Sequence, residues 1–177
     1  MPNKPEYLIV HHTGGTDADP RADTSHHTFN TVNTWHRHLW GDSVKSSLGH
    51  WCGYHFFIAK DGEVTRARKL TEMGAHTKGY NDRSIGICLA GNFDVTLPTK
   101  EQEESLKNLL QELVLELGIS ASKIVPHRVF SNKSCYGNRL SDDWARKLVD
   151  TDVLHCTLKE FSTMSLLEEV ADRIRRM

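Results

Sequence analysis

Short apolar runs along the chain alternate with longer stretches in which apolar residues recur at helical spacing. Residues 7–10 are uniformly apolar and rich in β-formers, which predicts a strand buried on both faces. Four more runs predict strands, at residues 54–58, 64–67, 84–91 and 124–125. The Asp61-Gly62 pair between the second and third runs predicts a hairpin turn, because glycine adopts a positive φ at low steric cost.

Two amphipathic stretches predict long helices. The first covers residues 28–39, where Phe29, Val32, Trp35 and Leu39 recur at helical spacing. The second covers residues 100–117, where a Thr99/Gln102 capping box precedes the stripe and Gly118 ends it. That stripe consists of Leu106, Leu109, Leu110, Leu113, Val114 and Leu117.

Strands interleaved with helices favour one α/β domain, in which a central mixed β-sheet is flanked by α-helices. Two shorter patterns predict helices at residues 141–149 and 158–175. We therefore expect a domain over residues 1–154, followed by a helical extension over residues 155–177 that packs on it.

Composition and charge exclude several classes of protein. A chain of 177 residues suits one domain, and 38% hydrophobic with 25% charged residues is typical of a globular protein. A net charge of −1 provides no broad basic surface for nucleic acid. The sequence contains neither a secretory signal nor an apolar run long enough to span a membrane, so it predicts a cytoplasmic protein. Nothing requires more than a monomer.

The four cysteines are sparse and lack C-x-x-C spacing, which does not indicate a disulfide scaffold. Cys52 and Cys88 lie in apolar runs and are expected to be buried thiols. Eleven histidines are many for this length and point towards a metal site.

A predicted loop brings a histidine, a lysine and a cysteine together at His127, Lys133 and Cys135. Imidazole and thiolate are ligands that Zn²⁺ prefers, but two ligands do not make a site. A third donor is available where His11 and His12 follow the first strand. Because consecutive strand residues point to opposite faces, only one of these two histidines can share a site with His127.

Four segments carry a more specific signal, and their order and spacing extend over residues 5–150. They are LIVHHT at 8–13, GYHFFIAKDG at 53–62, GAHTKGYNDRSIGIC at 74–88, and the span from His-Arg to Lys-Ser-Cys at 127–135. In these segments the chain resembles the zinc-dependent N-acetylmuramoyl-L-alanine amidases, a family that includes phage lysozyme-type amidases and animal peptidoglycan recognition proteins.

The resemblance implies a zinc site whose ligands are His11, His127 and Cys135, with a fourth position open to water. It also implies that Tyr54 and Lys133 are catalytic. An amide hydrolase must stabilise the oxyanion that forms on the attacked carbonyl, and Lys133 is a plausible cation for that role. Tyr54 either donates to the oxyanion or helps to move a proton to the leaving amine. His76 is a further candidate, for substrate contact or for support of a metal ligand.

The implied activity is hydrolysis of the amide bond between N-acetylmuramic acid and L-alanine in peptidoglycan, by a phage or prophage endolysin that reaches the wall after membrane permeabilisation. Three alternatives are a cytoplasmic muropeptide-recycling amidase, a peptidoglycan-binding module without activity, and a structural zinc site, although such a site normally has four protein ligands.

The remaining aromatic and imidazole side chains are given structural roles. His55 is expected to be structural, and Trp35, Trp40 and Trp51 either line a groove or pack. Surface or core positions are expected for His12, His26, His27, His36, His38 and His50. Tyr136 follows Cys135 where many relatives have proline, which predicts a less rigid loop.

Overall fold

The computed structural model describes residues 2–149. The predicted helix at residues 158–175, and with it the predicted extension from residue 155, lies outside the described residues. Within them, no helix has the length and apolar character needed to cross a lipid bilayer.

A five-stranded mixed sheet forms the centre of the domain, as predicted. Its strands are β1 (Tyr7–His12), β2 (Phe56–Ile58), β3 (Val64–Arg66), β4 (Ser84–Leu89) and β5 (Ile124–Pro126). Their order is β3-β2-β4-β1-β5. β3 pairs with β2 in antiparallel orientation, and the other neighbours are parallel. The helices are α1 (Phe29–Trp40), α2 (Lys100–Leu117) and α3 (Trp144–Lys147).

β1 lies at the middle of the parallel part of the sheet, between β4 and β5. Its apolar residues Leu8, Ile9 and Val10 have no exposed surface. Pairing with β4 continues through His11 and His12, so both histidines are part of the strand, which the sequence predicted to end at residue 10. Their side chains therefore point to opposite faces of the sheet.

The two faces of the sheet are covered by different helices. α2 packs its leucine stripe on the face that includes Leu8, Val10 and Ile87. On the other face Val32 of α1 packs with Phe57 and Cys88. The alternation of β1 places His11 on this second face, the same face as Cys88, its register partner in β4.

The structure confirms the predicted bounds of α2. The Thr99 side chain accepts from the Gln102 amide and the Gln102 side chain accepts from the Thr99 amide, which completes the capping box. Gly118 follows the helix in the left-handed conformation with a φ of 62°. The helix is amphipathic, and burial of its apolar stripe contributes most of its stability.

Four elements are shorter than predicted. β2 begins at Phe56, so Tyr54 and His55 precede the strand. α3 covers four residues, whereas the sequence pattern predicted residues 141–149. The Ser141 hydroxyl donates to the Asp143 carboxylate at 2.6 Å, and such local side-chain bonds compete with helix formation. β3 and β4 also end slightly earlier than predicted, at Arg66 and Leu89.

Candidate metal centre and its groove

Three side chains from distant parts of the chain converge at one end of the parallel strands. The donor atoms of His11, His127 and Cys135 all lie within 4.8 Å of one another. The Cys135 sulfur is 3.6 Å from Nδ1 of His11, and the His11 and His127 ring centroids are 4.4 Å apart. These are the three residues that the family resemblance implied as zinc ligands, and no fourth donor joins them among residues 2–149.

The donor set fits zinc. Zn–N distances of about 2.0–2.1 Å and Zn–S distances of about 2.3 Å, arranged tetrahedrally, place a nitrogen and a sulfur ligand about 3.6 Å apart. The observed distance between Cys135 Sγ and His11 Nδ1 matches this value. Two imidazoles and one thiol also leave one tetrahedral position without a protein donor, as catalytic zinc sites do.

Strand pairing explains why His11 and His127 meet. β5 pairs with β1 through Val10 and Pro126 and ends there, so His127 emerges beside His11. His12 points to the opposite face, where its Nδ1 accepts a hydrogen bond from the Phe93 amide at 2.9 Å. The prediction that only one of the two adjacent histidines joins the set is confirmed.

Arg128 holds the loop that carries Cys135. Its amide donates to the Cys135 carbonyl at 2.6 Å, and its guanidinium donates to the carbonyls of Gly137 and Leu140 at 2.7 Å each. The same guanidinium contacts the Asp142 carboxylate at 2.5 Å. Neither sequence reasoning nor the resemblance assigned a role to Arg128, although its position directly after His127 was a usable signal.

Asp94 secures the same loop from the other side. Its carboxylate accepts from the Ser134 hydroxyl at 2.6 Å and from the Asn138 amide at 2.7 Å. Partial burial acts to raise its pKa, but these two hydrogen bonds, together with the nearby His12 and Arg128, lower it overall. Asp94 was also missed from the sequence, because its partners are 40 and 44 positions away.

Tyr136 anchors the loop rather than loosening it. Its side chain is fully buried and packs edge-to-face on Trp144, with ring centroids 5.3 Å apart. Its hydroxyl lies 3.0 Å from the carbonyl oxygens of Ser141 and Asp142, to which it can donate. The expectation of a less rigid loop finds no support in these contacts.

Burial governs the protonation of the donors. It lowers the pKa of His11 well below the usual value, with further lowering by His76 and His127. The pKa of His127 is lowered by partial burial and by the charge of Lys133. Burial raises the pKa of the Cys135 thiol to about 12, although the His12 amide and Lys133 act in the opposite direction. At neutral pH without metal the set is therefore two neutral imidazoles and a thiol.

The two predicted catalytic side chains both line the groove at the donor set. The Tyr54 ring is 5.0 Å from the His11 ring. Burial, followed by the nearby Cys88 and Cys135 thiols, raises the pKa of Tyr54 well above its usual value, so its phenol remains a proton donor. Lys133 is exposed and lines the groove that leads to Cys135.

A groove of about 1040 Å³ leads to the three donors, and its lining includes Tyr54, His76 and Lys133. One wall is the outer face of α1. Trp35, Leu39 and Trp40 there are 53%, 52% and 41% exposed, although the helical spacing of Trp35 and Leu39 is that of a core-facing stripe.

The remaining tryptophan and histidines are outside the donor set. Trp51 packs against the cations of Arg37 and Lys45 and does not line the groove.

His55 is fully buried and accepts from the Gly86 amide through Nδ1, which confirms its structural role. His36 is also buried, with a pKa lowered to about 4 by burial. The described surface carries His26 and His38, with His27 and His50 partly exposed. Cys52 and Cys88 are buried free thiols, as expected.

Comparison with known sequences identifies a family model and several relatives. A family model described as N-acetylmuramoyl-L-alanine amidase matches residues 1–138. The endolysin of Klebsiella phage KP32 is 34% identical over 106 residues, which cover 56% of this chain and 69% of the relative. Peptidoglycan-recognition protein SC2 of Drosophila melanogaster is 31% identical over 143 residues, covering 79% of this chain and 72% of the relative.

A solved structure supports the same assignment at the level of the fold. The endolysin amidase LysCS from Clostridium intestinale URNW superposes with a TM-score of 0.60 at 24% identity, covering 89% of this chain and 85% of that one. Fold and site thus define a mixed-sheet α/β hydrolase with an open groove. The chain belongs to the N-acetylmuramoyl-L-alanine amidase family, and it is an enzyme of that family.

Proposed function

We propose that this protein is a zinc-dependent amidase that cleaves the bond between N-acetylmuramic acid and L-alanine in peptidoglycan. The observation that carries the proposal is the convergence of His11, His127 and Cys135 at the end of an open groove. The catalytic unit is taken as residues 1–154. A binding module without activity has no need for this complete donor set together with Tyr54 and Lys133.

His11, His127 and Cys135 would hold the zinc ion through two imidazole nitrogens and a thiolate. When bound there, zinc supplies a Lewis acid that polarises a carbonyl and lowers the pKa of water to about 7. The His12 amide, 3.4 Å from the Cys135 sulfur, stabilises the charge on the thiolate. Arg128 and Asp94 hold the loop so that the sulfur stays beside His11.

Lys133 and Tyr54 provide the remaining chemistry. The Lys133 ammonium, on the rim of the groove, stabilises the negative charge that develops on the carbonyl oxygen of the cleaved amide. The Tyr54 phenol keeps its proton at neutral pH because burial raises its pKa. It is therefore a donor, either to the same oxygen or to the leaving amine.

The groove determines what reaches these groups. Its α1 wall presents Trp35 and Trp40, whose rings offer flat apolar surface with a polar N–H edge. The lining also includes Lys78 and Lys133, which favour the carboxylates of a stem peptide. This combination suits a glycopeptide, and the cell wall is the polymer that joins N-acetylmuramic acid to a peptide.

The biological setting that we propose is that of a phage or prophage endolysin. Its support is the similarity to the endolysin of Klebsiella phage KP32. Such a protein accumulates in the host cytoplasm and acts on the wall after the membrane has been permeabilised. A muropeptide-recycling amidase is the alternative, and it differs in preferring soluble fragments to intact wall.

The test uses purified full-length protein and isolated peptidoglycan sacculi. We expect new amino-terminal L-alanine to appear without new reducing ends, activity to disappear with a chelator, and Zn²⁺ to restore it. New reducing ends without amino termini would indicate a glycosidase and contradict the proposal. Folded His127→Ala protein with full activity would contradict the zinc assignment alone.

A second measurement separates the two biological settings. Rates on intact sacculi and on soluble muropeptides are compared at equal concentrations of cleavable amide. An endolysin releases wall fragments from intact sacculi at a rate similar to its rate on muropeptides. Activity confined to soluble muropeptides would support the recycling role instead.

A further inference from the structure

His76 contacts the side of His11 that faces away from the other two donors. His11 directs Nδ1 towards the Cys135 sulfur, at 3.6 Å, and its Nε2 lies 3.0 Å from Nδ1 of His76. The two rings are nearly perpendicular, with centroids 5.1 Å apart. An imidazole that binds a metal through Nδ1 carries its proton on Nε2, so this contact needs an acceptor on His76.

The surroundings of His76 supply that acceptor. Ser84 donates its hydroxyl proton to the Tyr80 carbonyl at 2.6 Å, which leaves its oxygen free to accept. This oxygen lies 3.4 Å from Nε2 of His76. A proton on His76 Nε2 is therefore directed at Ser84, and Nδ1 is left as the acceptor for His11. The Thr77 hydroxyl lies 3.0 Å from the same Nδ1 and 3.4 Å from Nε2 of His11, so its oxygen can also accept from the His11 N–H.

Two glycines make room for the His76 ring. A Cβ atom at Gly86 would lie 2.6 Å from Cγ of His76, and one at Gly74 would lie 2.5 Å from Cδ2. No side chain is tolerated at such distances without displacement of the ring. The backbone is also held, since Asn81 Oδ1 accepts from the amides of His76 and Thr77 at 2.8 Å each. The glycines therefore confine the position of the imidazole ring, and the Ser84 contact favours the orientation that directs Nδ1 at His11.

We propose that His76 is a positioning residue, which accepts the Nε2 proton of His11 and thereby holds Nδ1 of His11 towards the metal. Metal-binding histidines generally donate their second N–H to a carboxylate, carbonyl or water. Here a neutral imidazole in a glycine-lined slot takes that place. The inference rests on the proposed zinc site, and it assigns His76 a role in metal binding rather than in direct contact with substrate.

The test measures zinc affinity by competition with a chromophoric chelator, using the full-length protein. His76→Ala is expected to weaken zinc binding about 10- to 100-fold, the usual effect of losing such a partner. His76→Asn retains an acceptor oxygen near the Nδ1 position and is expected to stay within a few-fold of wild type. Gly86→Ala, which displaces the ring, should resemble His76→Ala. His38→Ala, an exposed histidine on α1, is the matched control.

A spectroscopic measurement does not depend on any variant folding. In the zinc-loaded wild type, ¹⁵N NMR is expected to show protons on Nε2 of both His11 and His76. A proton on Nδ1 of His76 would overturn the inference, as would His76→Ala protein that is folded and binds zinc within two-fold of wild type. If the wild type itself binds no zinc, the proposed zinc site fails and this inference fails with it.

Discussion

The backbone amide of His12 donates a hydrogen bond to the Cys135 sulfur at 3.4 Å, across 123 positions of sequence. One dipeptide of β1 thus contributes twice to the site, because the preceding residue, His11, places its Nδ1 3.6 Å from the same sulfur. An N–H donor favours the thiolate over the thiol. Strand β1 therefore stabilises the thiolate form of Cys135 and also places a second candidate metal ligand beside it.

Replacing the thiol tests whether Cys135 is a ligand. Cys135→Ser is expected to lose zinc and amidase activity together, because a neutral hydroxyl is a much weaker zinc ligand than a thiolate. Zinc content is measured by atomic absorption after dialysis, and amidase activity by release of amino termini. Cys52→Ala, which removes a buried thiol outside the donor set, is the control and should keep both. Stoichiometric zinc in folded Cys135→Ser would remove Cys135 from the ligand set.

Removing the charge of Lys133 separates catalysis from metal binding. Lys133→Ala is expected to lower kcat about 100-fold, as loss of an oxyanion donor typically does, while zinc affinity changes little. Lys78→Ala, another exposed lysine that lines the groove, controls for general loss of positive charge. Steady-state kinetics on a soluble muropeptide give kcat and KM separately. An unchanged kcat with a raised KM would make Lys133 a binding residue only.

Arg128 links the stability of the fold to the geometry of the site. Arg128→Lys removes the guanidinium that donates to the carbonyls of Gly137 and Leu140. Leaving partly buried carbonyls without a hydrogen-bond donor costs about 1–3 kcal/mol of stability. We expect the free energy of unfolding in urea to fall by that amount and zinc to bind more weakly. Arg83→Lys alters only an exposed pair with Asp82 and should leave both unchanged. If Arg128→Lys were as stable as the wild type, the guanidinium of Arg128 would not be what holds the loop.

Buried neutral histidines make the stability of the metal-free protein depend on pH. Burial lowers the pKa values of His12, His36 and His55 from 6.5 to about 4. Between these values the unfolded chain binds more protons than the folded one, so stability falls as the pH falls from 6.5 towards 4. Each histidine contributes up to about 1.4 kcal/mol per pH unit.

Urea unfolding at pH values of about 7, 6 and 5 measures this slope. In the wild type, the Gly53 amide donates to Nδ1 of His36 at 3.0 Å. His36→Asn keeps an acceptor for this amide and removes one titrating group. Its slope should therefore be smaller than that of wild type. His38→Asn, on the exposed side of the same helix, should keep the full slope. Stability that does not change between pH 7 and 5 would contradict neutral burial of these histidines.

Local patterns in the sequence predicted the regular elements well where one physical signal dominated. The Thr99/Gln102 capping box, the leucine stripe and Gly118 each specify α2 through contacts within a few residues, and all three are confirmed. The pattern at residues 141–149 gave a longer α3 than is present, because side-chain bonds around Ser141 compete with the helix. The helical spacing of apolar residues predicted α1 correctly, but it did not decide whether Trp35 faces the core or the groove. Apolar residues recur at the same helical spacing in both cases, and Trp35 is in fact exposed.

The sequence by itself determined the types of donor and the alternation that allows only one of His11 and His12 to face His127. Both follow from residue chemistry and from the two-residue period of a strand. Only the tertiary structure decided that β5 pairs with β1, which sets His127 beside His11. It also decided which groups support the donors, namely Arg128, Asp94, the His12 amide and His76. Apart from those of Arg128, these contacts join residues more than 35 positions apart. A local sequence pattern cannot predict which of such distant residues will meet.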